Sequence, residues 1–190
     1  MRSPQKIILS LIVLILVGGG LLWYFFQQRS EQKATQLEIK TLKIMKLESS
    51  VFENNGNIPS KYTCDGENVN PPLEISEVPE NAKSLVLIVD DPDAPMGTWV
   101  HWTVWNISPK TTEIPENSVP EGAVEGMTDF GKPGYGGPCP PSGTHRYFFK
   151  LYALDTTLDL GSSAKAKDIE KAMEGHILDK AELVGLYSRK

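Results

Sequence analysis

The chain is poor in the residues that build metal and redox centres, with two cysteines and three histidines among 190 residues. Neither Cys64 nor Cys139 belongs to a C-x-x-C pair, which argues against a zinc site. Phosphate-binding glycine signatures are missing too. Residues Gly131-Lys132-Pro133-Gly134-Tyr135-Gly136-Gly137 are glycine-rich, but they match neither a Walker loop nor a dinucleotide fingerprint, and the prolines around them mark a fixed wall. There is no G-x-S-x-G elbow, so Ser142 and Thr144 carry no nucleophile signature although they neighbour His145. No internal repeat and no low-complexity tract interrupts the chain.

Positive charge is scarce where most of the chain lies. Residues 1–46 hold seven Lys/Arg and two Asp/Glu; of the totals of 19 and 24, residues 47–190 keep 12 and 22, a net of −10. An acidic domain is a poor fit to nucleic acid, which needs a basic surface, and to broad docking on anionic lipid. An anionic ligand would have to be captured by local geometry against the field of the whole domain.

The apolar run Ile7–Phe26 has about the ~20 residues that span a bilayer as a helix. Arg2 and Lys6 precede it, and Trp23 and Tyr24 suit an interfacial belt. A cleaved signal peptide would want a shorter apolar core and an A-x-A-like site, and Trp23-Tyr24-Phe25-Phe26-Gln27-Gln28-Arg29 offers none. The expectation is an N-terminal anchor in residues 1–26, a linker over 27–46 and a domain over 47–190. A short N-terminal flank before a single span places that domain outside the cytoplasm.

Within the domain, 13 of 14 prolines fall beyond residue 47, clustered between short apolar runs. Ser84–Val89 is a continuous β-rich run, as expected of a buried central strand. Trp99–Ile107 and Arg146–Leu154 read as further strands, the latter with aromatics on both faces. One late helix is expected after a cap at Ser162-Ser163, with Ile169, Ala172, Met173, His176 and Ile177 on one face. Gly175 weakens it, His176 reads as core or cap, and Leu183–Tyr187 reads as a short closing strand. Strands first and one helix late describe a mainly β domain of about 140 residues with its own core.

Two islands carry the chemistry. Asp90-Asp91-Pro92-Asp93-Ala94-Pro95 is followed by His101-Trp102, and Gly137-Pro138-Cys139-Pro140-Pro141 by His145-Arg146-Tyr147. Rigid loops, imidazoles, acids and aromatics are the ingredients of a small preformed ligand pocket. Asp91-x-Asp93 with two histidines also admits a metal-dependent hydrolase, although such acid pairs are common in turns. Arg146 alternates away from His145 and suits a structural ion pair. The two cysteines are open to two readings, one disulfide or two buried thiols.

D-P-D-A-P (91–95), W-V-H-W (99–102) and G-P-C-P-P-S-G-T-H-R-Y (137–147) resemble the phosphatidylethanolamine-binding protein family, in its prokaryotic Raf-kinase-inhibitor-like branch. Tyr62-Thr63-Cys64-Asp65-Gly66 and Gly175-His176 with Ala181–Gly185 fit the same pattern, so the resemblance spans roughly 47–187. It implies an antiparallel β-sandwich-like fold with few peripheral helices. It also implies a non-enzymatic binder of small anionic or phosphorylated ligands, with no cofactor and no metal. Residues matching Asp91, Trp99, His101, His145 and Tyr147 line the family's anion pocket; Pro95 and the backbone of Cys139-Pro140 match its walls. Asp91 there would orient an imidazole and favour its charged form. Ala94-Pro95 matches a family position where a cis bond occurs. Family members that inhibit kinases or proteases imply a second kind of partner, a protein target.

Overall fold

The computed structural model describes residues 20–33 and 44–189. The chain divides into two units, residues 1–43 and 44–190. In the first, residues 20–33 are helical and Leu21–Phe26 are exposed. Residues 7–19 of the expected anchor lie outside the described residues. Among the described residues no helix is long and apolar enough to cross a membrane.

The second unit is built on two sheets. Strand β1 (Lys46–Glu48), β3 (Leu73–Ser76) and β6 (Glu113–Ile114) form a small antiparallel sheet in the order β1-β3-β6. The larger sheet contains β2 (Gly56–Asn57), β4 (Ser84–Asp91), β5 (Trp99–Ile107), β7 (Val124–Glu125), β8 (Thr144–Leu154) and β9 (Ile177–Ser188). Its order is β2-β9-β8-β4-β5-β7, antiparallel except for β2 beside β9. The fold is therefore mainly β, as the strand-first pattern led one to expect.

Strand β4 is buried along all eight residues because both of its faces are covered. Leu85, Leu87 and Val89 join the core that includes Leu47, Leu73, Ile75 and Ile114 of the small sheet. Val86 and Ile88 pack on the opposite side with Trp105, Leu158, Ile169 and Met173. A strand with two dry faces needs an unbroken apolar run rather than an alternating one. Strand β8 alternates instead: His145, Tyr147, Phe149, Leu151 and Ala153 are buried, and Arg146, Phe148, Lys150 and Tyr152 turn to the more open side.

The late helix is shorter than its periodicity implied. It covers Ala166–Met173, begins at Lys165 instead of Ser162-Ser163, and gives way before Gly175, which adopts φ 79°. The Asp168 carboxylate accepts the Lys165 N–H at 2.9 Å, supplying the cap that the serines were expected to provide. His176 is consequently neither core nor cap; it is exposed and pairs with Asp155 at 2.8 Å. Ile177 opens a strand of 12 residues rather than ending the helix, and the expected short closing strand is its last part. Pairing with β8 over Thr144–Leu154 extends it, an effect that local propensity does not contain.

Candidate functional site: a two-histidine pocket at the end of the central strand

The end of β4 places Asp91 across from Trp99 on β5, and Asp90 just before it across from Phe148 on β8. The β4–β5 ladder shifts register here. Val89 pairs with Trp102 but Asp90 pairs with Val100, so His101 is the extra residue of a β-bulge. A bulge re-aims a side chain that strict alternation would send to the other face. Here it lets the consecutive residues His101 and Trp102 both be buried, His101 against the pocket and Trp102 in the inter-sheet core. Trp105 packs on the opposite face.

The pocket encloses about 310 Å³ and is lined by Asp91, Ala94, Pro95, Trp99, His101, Phe130, Cys139, Pro141, His145 and Tyr147. That is the small end of the usual range for ligand sites, which suits a small ion or one polar group of a larger molecule. Seven of the eight expected residues line it. Pro140 does not; it is buried behind the wall, and Pro141 takes its place.

Two carboxylates of the Asp91-Pro92-Asp93 loop diverge. Asp91 Oδ2 accepts the Nδ1–H of His145 at 2.7 Å, and its Oδ1 accepts the Asp93 N–H at 2.8 Å. Asp93 turns outward to Arg146, taking its Nε–H at 2.8 Å, an Nη2–H at 2.6 Å and its backbone N–H at 3.0 Å. The loop is thus clamped to β8 by two successive residues on opposite faces. Arg146 holds the Asp93 carboxyl down to about 2, chiefly through the side-chain hydrogen bond. With Asp93 so engaged, the two acids do not converge on one point, and among the described residues no group of three His, Cys, Asp or Glu could hold a metal ion.

His101 is fixed differently. Its Nδ1 lies 2.6 Å from the Gly136 carbonyl, and the Gly136 N–H donates back to the His101 carbonyl at 2.9 Å. Rings stand edge-on around it: Phe130 at 5.3 Å and Tyr147 at 5.2 Å between centroids, with Trp99 in turn 5.5 Å from Phe130. Burial pushes the His101 pKa below its ordinary value, against the Gly136 carbonyl and the negative charges of Asp91 and Asp129. Tyr147 is pushed up, first by burial and then by Asp91. Its hydroxyl is buried without a hydrogen-bond partner; the nearby Cys139 amide opposes the shift but does not close a bond of good geometry. A buried hydroxyl left unpaired is costly, and a pocket that receives an acceptor atom would satisfy it.

The wall over His101 is tied from behind. Cys64 and Cys139 form a disulfide, with Cα atoms 5.4 Å apart and a sequence separation of 75. The open reading of the cysteines thus resolves to a bond. Tyr135 Oη donates to the Tyr62 carbonyl at 2.9 Å and the Gly137 N–H to Asn68 Oδ1 at 2.8 Å. At Gly136 a Cβ would collide with the Phe130 ring, so glycine is required for that ring to stand beside His101. The Ala94–Pro95 bond is trans, since the described residues contain no cis peptide. That corrects the cis expectation, and follows the usual trans preference of X–Pro bonds. Phe130 went unrecognised in sequence; its signal was an aromatic residue just before the glycine-rich wall, which only the return of residues 129–136 over β5 brings to the pocket.

The mainly β domain thus brings two imidazoles, one carboxylate and one phenol without a hydrogen-bond partner together around one small pocket. The chain belongs to the phosphatidylethanolamine-binding protein family, whose model matches residues 48–188. It is 55% identical over 150 residues to a UPF0098 protein of Methanothermobacter thermautotrophicus, covering 76% of this chain and 99% of that one. A UPF0098 protein of Pyrococcus horikoshii is 58% identical over 151 residues, covering 75% of this chain and 76% of the relative. Among solved structures, a phosphatidylethanolamine-binding protein homologue of Chlamydia trachomatis superposes with TM-score 0.76 at 43% identity, over 78% of this chain and 99% of the other. YbcL of Escherichia coli, described as a member of the mammalian family, gives 0.73 at 33% identity, over 77% and 99%.

Proposed function

We propose that the domain binds small anionic or phosphorylated groups, free phosphate or a phospholipid head group, without catalysing a reaction on them. The observation that carries this reading is the convergence of His101, His145 and the unpartnered Tyr147 hydroxyl on one small cavity. Imidazole and phenol N–H and O–H groups are the donors that oxyanions accept, and charge-assisted bonds are roughly twice as strong as neutral ones. Calorimetric titration with inorganic phosphate between about pH 5.5 and 8.5, with chelator present, tests it. Affinity should fall as pH rises past the imidazole range, near 6.5 when unperturbed. Binding that strengthens toward high pH or disappears with chelator would favour a metal site instead, since protons compete with metal for imidazole.

A second reading, inhibition of a kinase or protease by direct contact, draws on the exposed side chains beside the pocket, Met96 at 95% and Phe130 at 41%. Capture of a partner that depends on His101 or His145 would support it. We also propose that residues 7–26 anchor the domain on the outer side of a membrane, on the strength of the apolar run. Intact mass of protein extracted from membranes should include the N-terminal segment; a soluble product starting near residue 30 would rule the anchor out.

A further inference from the structure

We infer that the pocket prefers anions that bring a proton of their own, a phosphate monoester monoanion over a sulfate monoester of equal charge, and that His101 makes this selection. The inference rests on the reading of the pocket as an anion site and goes on to specify which anions.

The Gly136 carbonyl beside Nδ1 of His101 can only accept, so Nδ1 carries hydrogen in every charge state of the ring. The return bond from the Gly136 N–H to the His101 carbonyl keeps that edge in place. Among the described residues the other nitrogen, Nε2, has no hydrogen-bond partner. In the neutral ring it is a bare lone pair, an acceptor in a pocket that is otherwise rich in donors. His145 is not equivalent, because its Nδ1 faces the Asp91 carboxylate at 2.7 Å and an imidazolium there has a counter-charge. An imidazolium at His101 has the Gly136 and Gly137 carbonyls against it in place of a paired carboxylate, with Asp91 and Asp129 as the acids around it and His145 and Tyr147 on β8, beyond β4. Burial works against that charged form.

A ligand oxygen without hydrogen would meet lone pair against lone pair at Nε2. A P–O–H group would donate to Nε2 while its other oxygens accept from Tyr147 and His145. A sulfate monoester carries no proton in neutral water, so its binding must draw one from solvent onto His101. The two ligands are alike in shape and, as monoanions, in charge; the hydrogen is the difference between them. Sites that are built to pair a ligand hydrogen discriminate strongly against analogues lacking it.

The test uses the full chain, with methyl phosphate and methyl sulfate as probes and chelator present, titrated near pH 6.5. The second pKa of a phosphate monoester is about 6, so a sizeable share of methyl phosphate is then monoanion. Methyl phosphate should bind at least about tenfold more tightly than methyl sulfate. Equal affinities, or tighter binding of the sulfate, would overturn the inference while leaving an anion site in place. Failure of both probes and of inorganic phosphate across pH 5.5–8.5 would remove the site itself, and the inference with it. In His101→Asn, whose amide can turn a donor toward a bare oxyanion, the ratio should fall toward one. Circular dichroism and a thermal melt check that this variant folds. A folded His101→Asn that keeps the wild-type ratio would show that another group selects, and would overturn the role of His101. Should the variant not fold, the wild-type ratio alone decides.

Discussion

Asp90 and Asp91 are adjacent on the same strand, equally buried, and paired on opposite faces of the sheet. Asp90 faces away from the inter-sheet core and pairs with Lys150 at 2.6 Å, beside a hollow of about 580 Å³ that Lys165, Lys167 and Glu170 also line. Burial pushes its pKa up and Lys150 opposes that. Asp91 faces the smaller, two-histidine pocket and pairs with His145, itself buried. A lysine partner gives a permanent ion pair that secures the strand end, whereas an imidazole partner keeps a second ring nitrogen available to a ligand. The same residue type thus secures the strand end on one face and, in the proposed reading, holds a ligand-binding imidazole on the other.

The disulfide stands behind the two-histidine pocket, and its loss has the largest expected effect. Cys64→Ala with Cys139→Ala should lower stability by about 4 kcal/mol in the chain-entropy model for a loop of this length. Denaturant titration measures it. A loss below about 1 kcal/mol would mean that the bonds from Tyr135 to Tyr62 and from Gly137 to Asn68 hold the wall unaided.

Lys150→Met leaves Asp90 buried without its counter-ion and should cost about 3 kcal/mol, the low end for breaking a buried pair because Lys150 is partly exposed. Phosphate affinity should stay within about twofold, since the two faces share no partner. A large loss of affinity in this variant would dissolve the contrast between the faces. The reciprocal test is His145→Gln, whose amide can still donate to Asp91. It should weaken phosphate binding by about tenfold or more, with a small change in melting temperature. Unchanged affinity would move recognition elsewhere in the pocket.

The smallest effect is expected from the exposed clamp next door. With its pKa held to about 2, Asp93 contributes stability that is fully present above its unfolded value near 3.9 and is lost as pH falls through about 2. Arg146→Ala should therefore lower the melting temperature slightly above about pH 4, with the difference from wild type closing toward pH 2. A difference that grows on acidification would contradict this assignment.

The sequence by itself determined much of this protein. The continuous apolar run of β4 announced a strand with two dry faces, and the aromatics on both faces of β8 followed from its place beside β4. Two proline-rich loops, each leading to a histidine, marked the pocket, and seven of its expected residues are found in it. Other features could be settled only by the assembled fold, because they depend on contacts between residues distant in sequence. The bulge that brings His101 and Trp102 to one side is a matter of register between β4 and β5. Phe130 enters the pocket because a loop folds back over β5, and Cys64 reaches Cys139 because the loop between β2 and β3 is hydrogen-bonded to residues 135–138. The trans bond at Ala94–Pro95 and the length of β9 likewise depend on the surroundings of each segment. The different roles of Asp90 and Asp91 are the sharpest case. Neighbours in sequence, they are separated by a sheet whose two faces meet different partners.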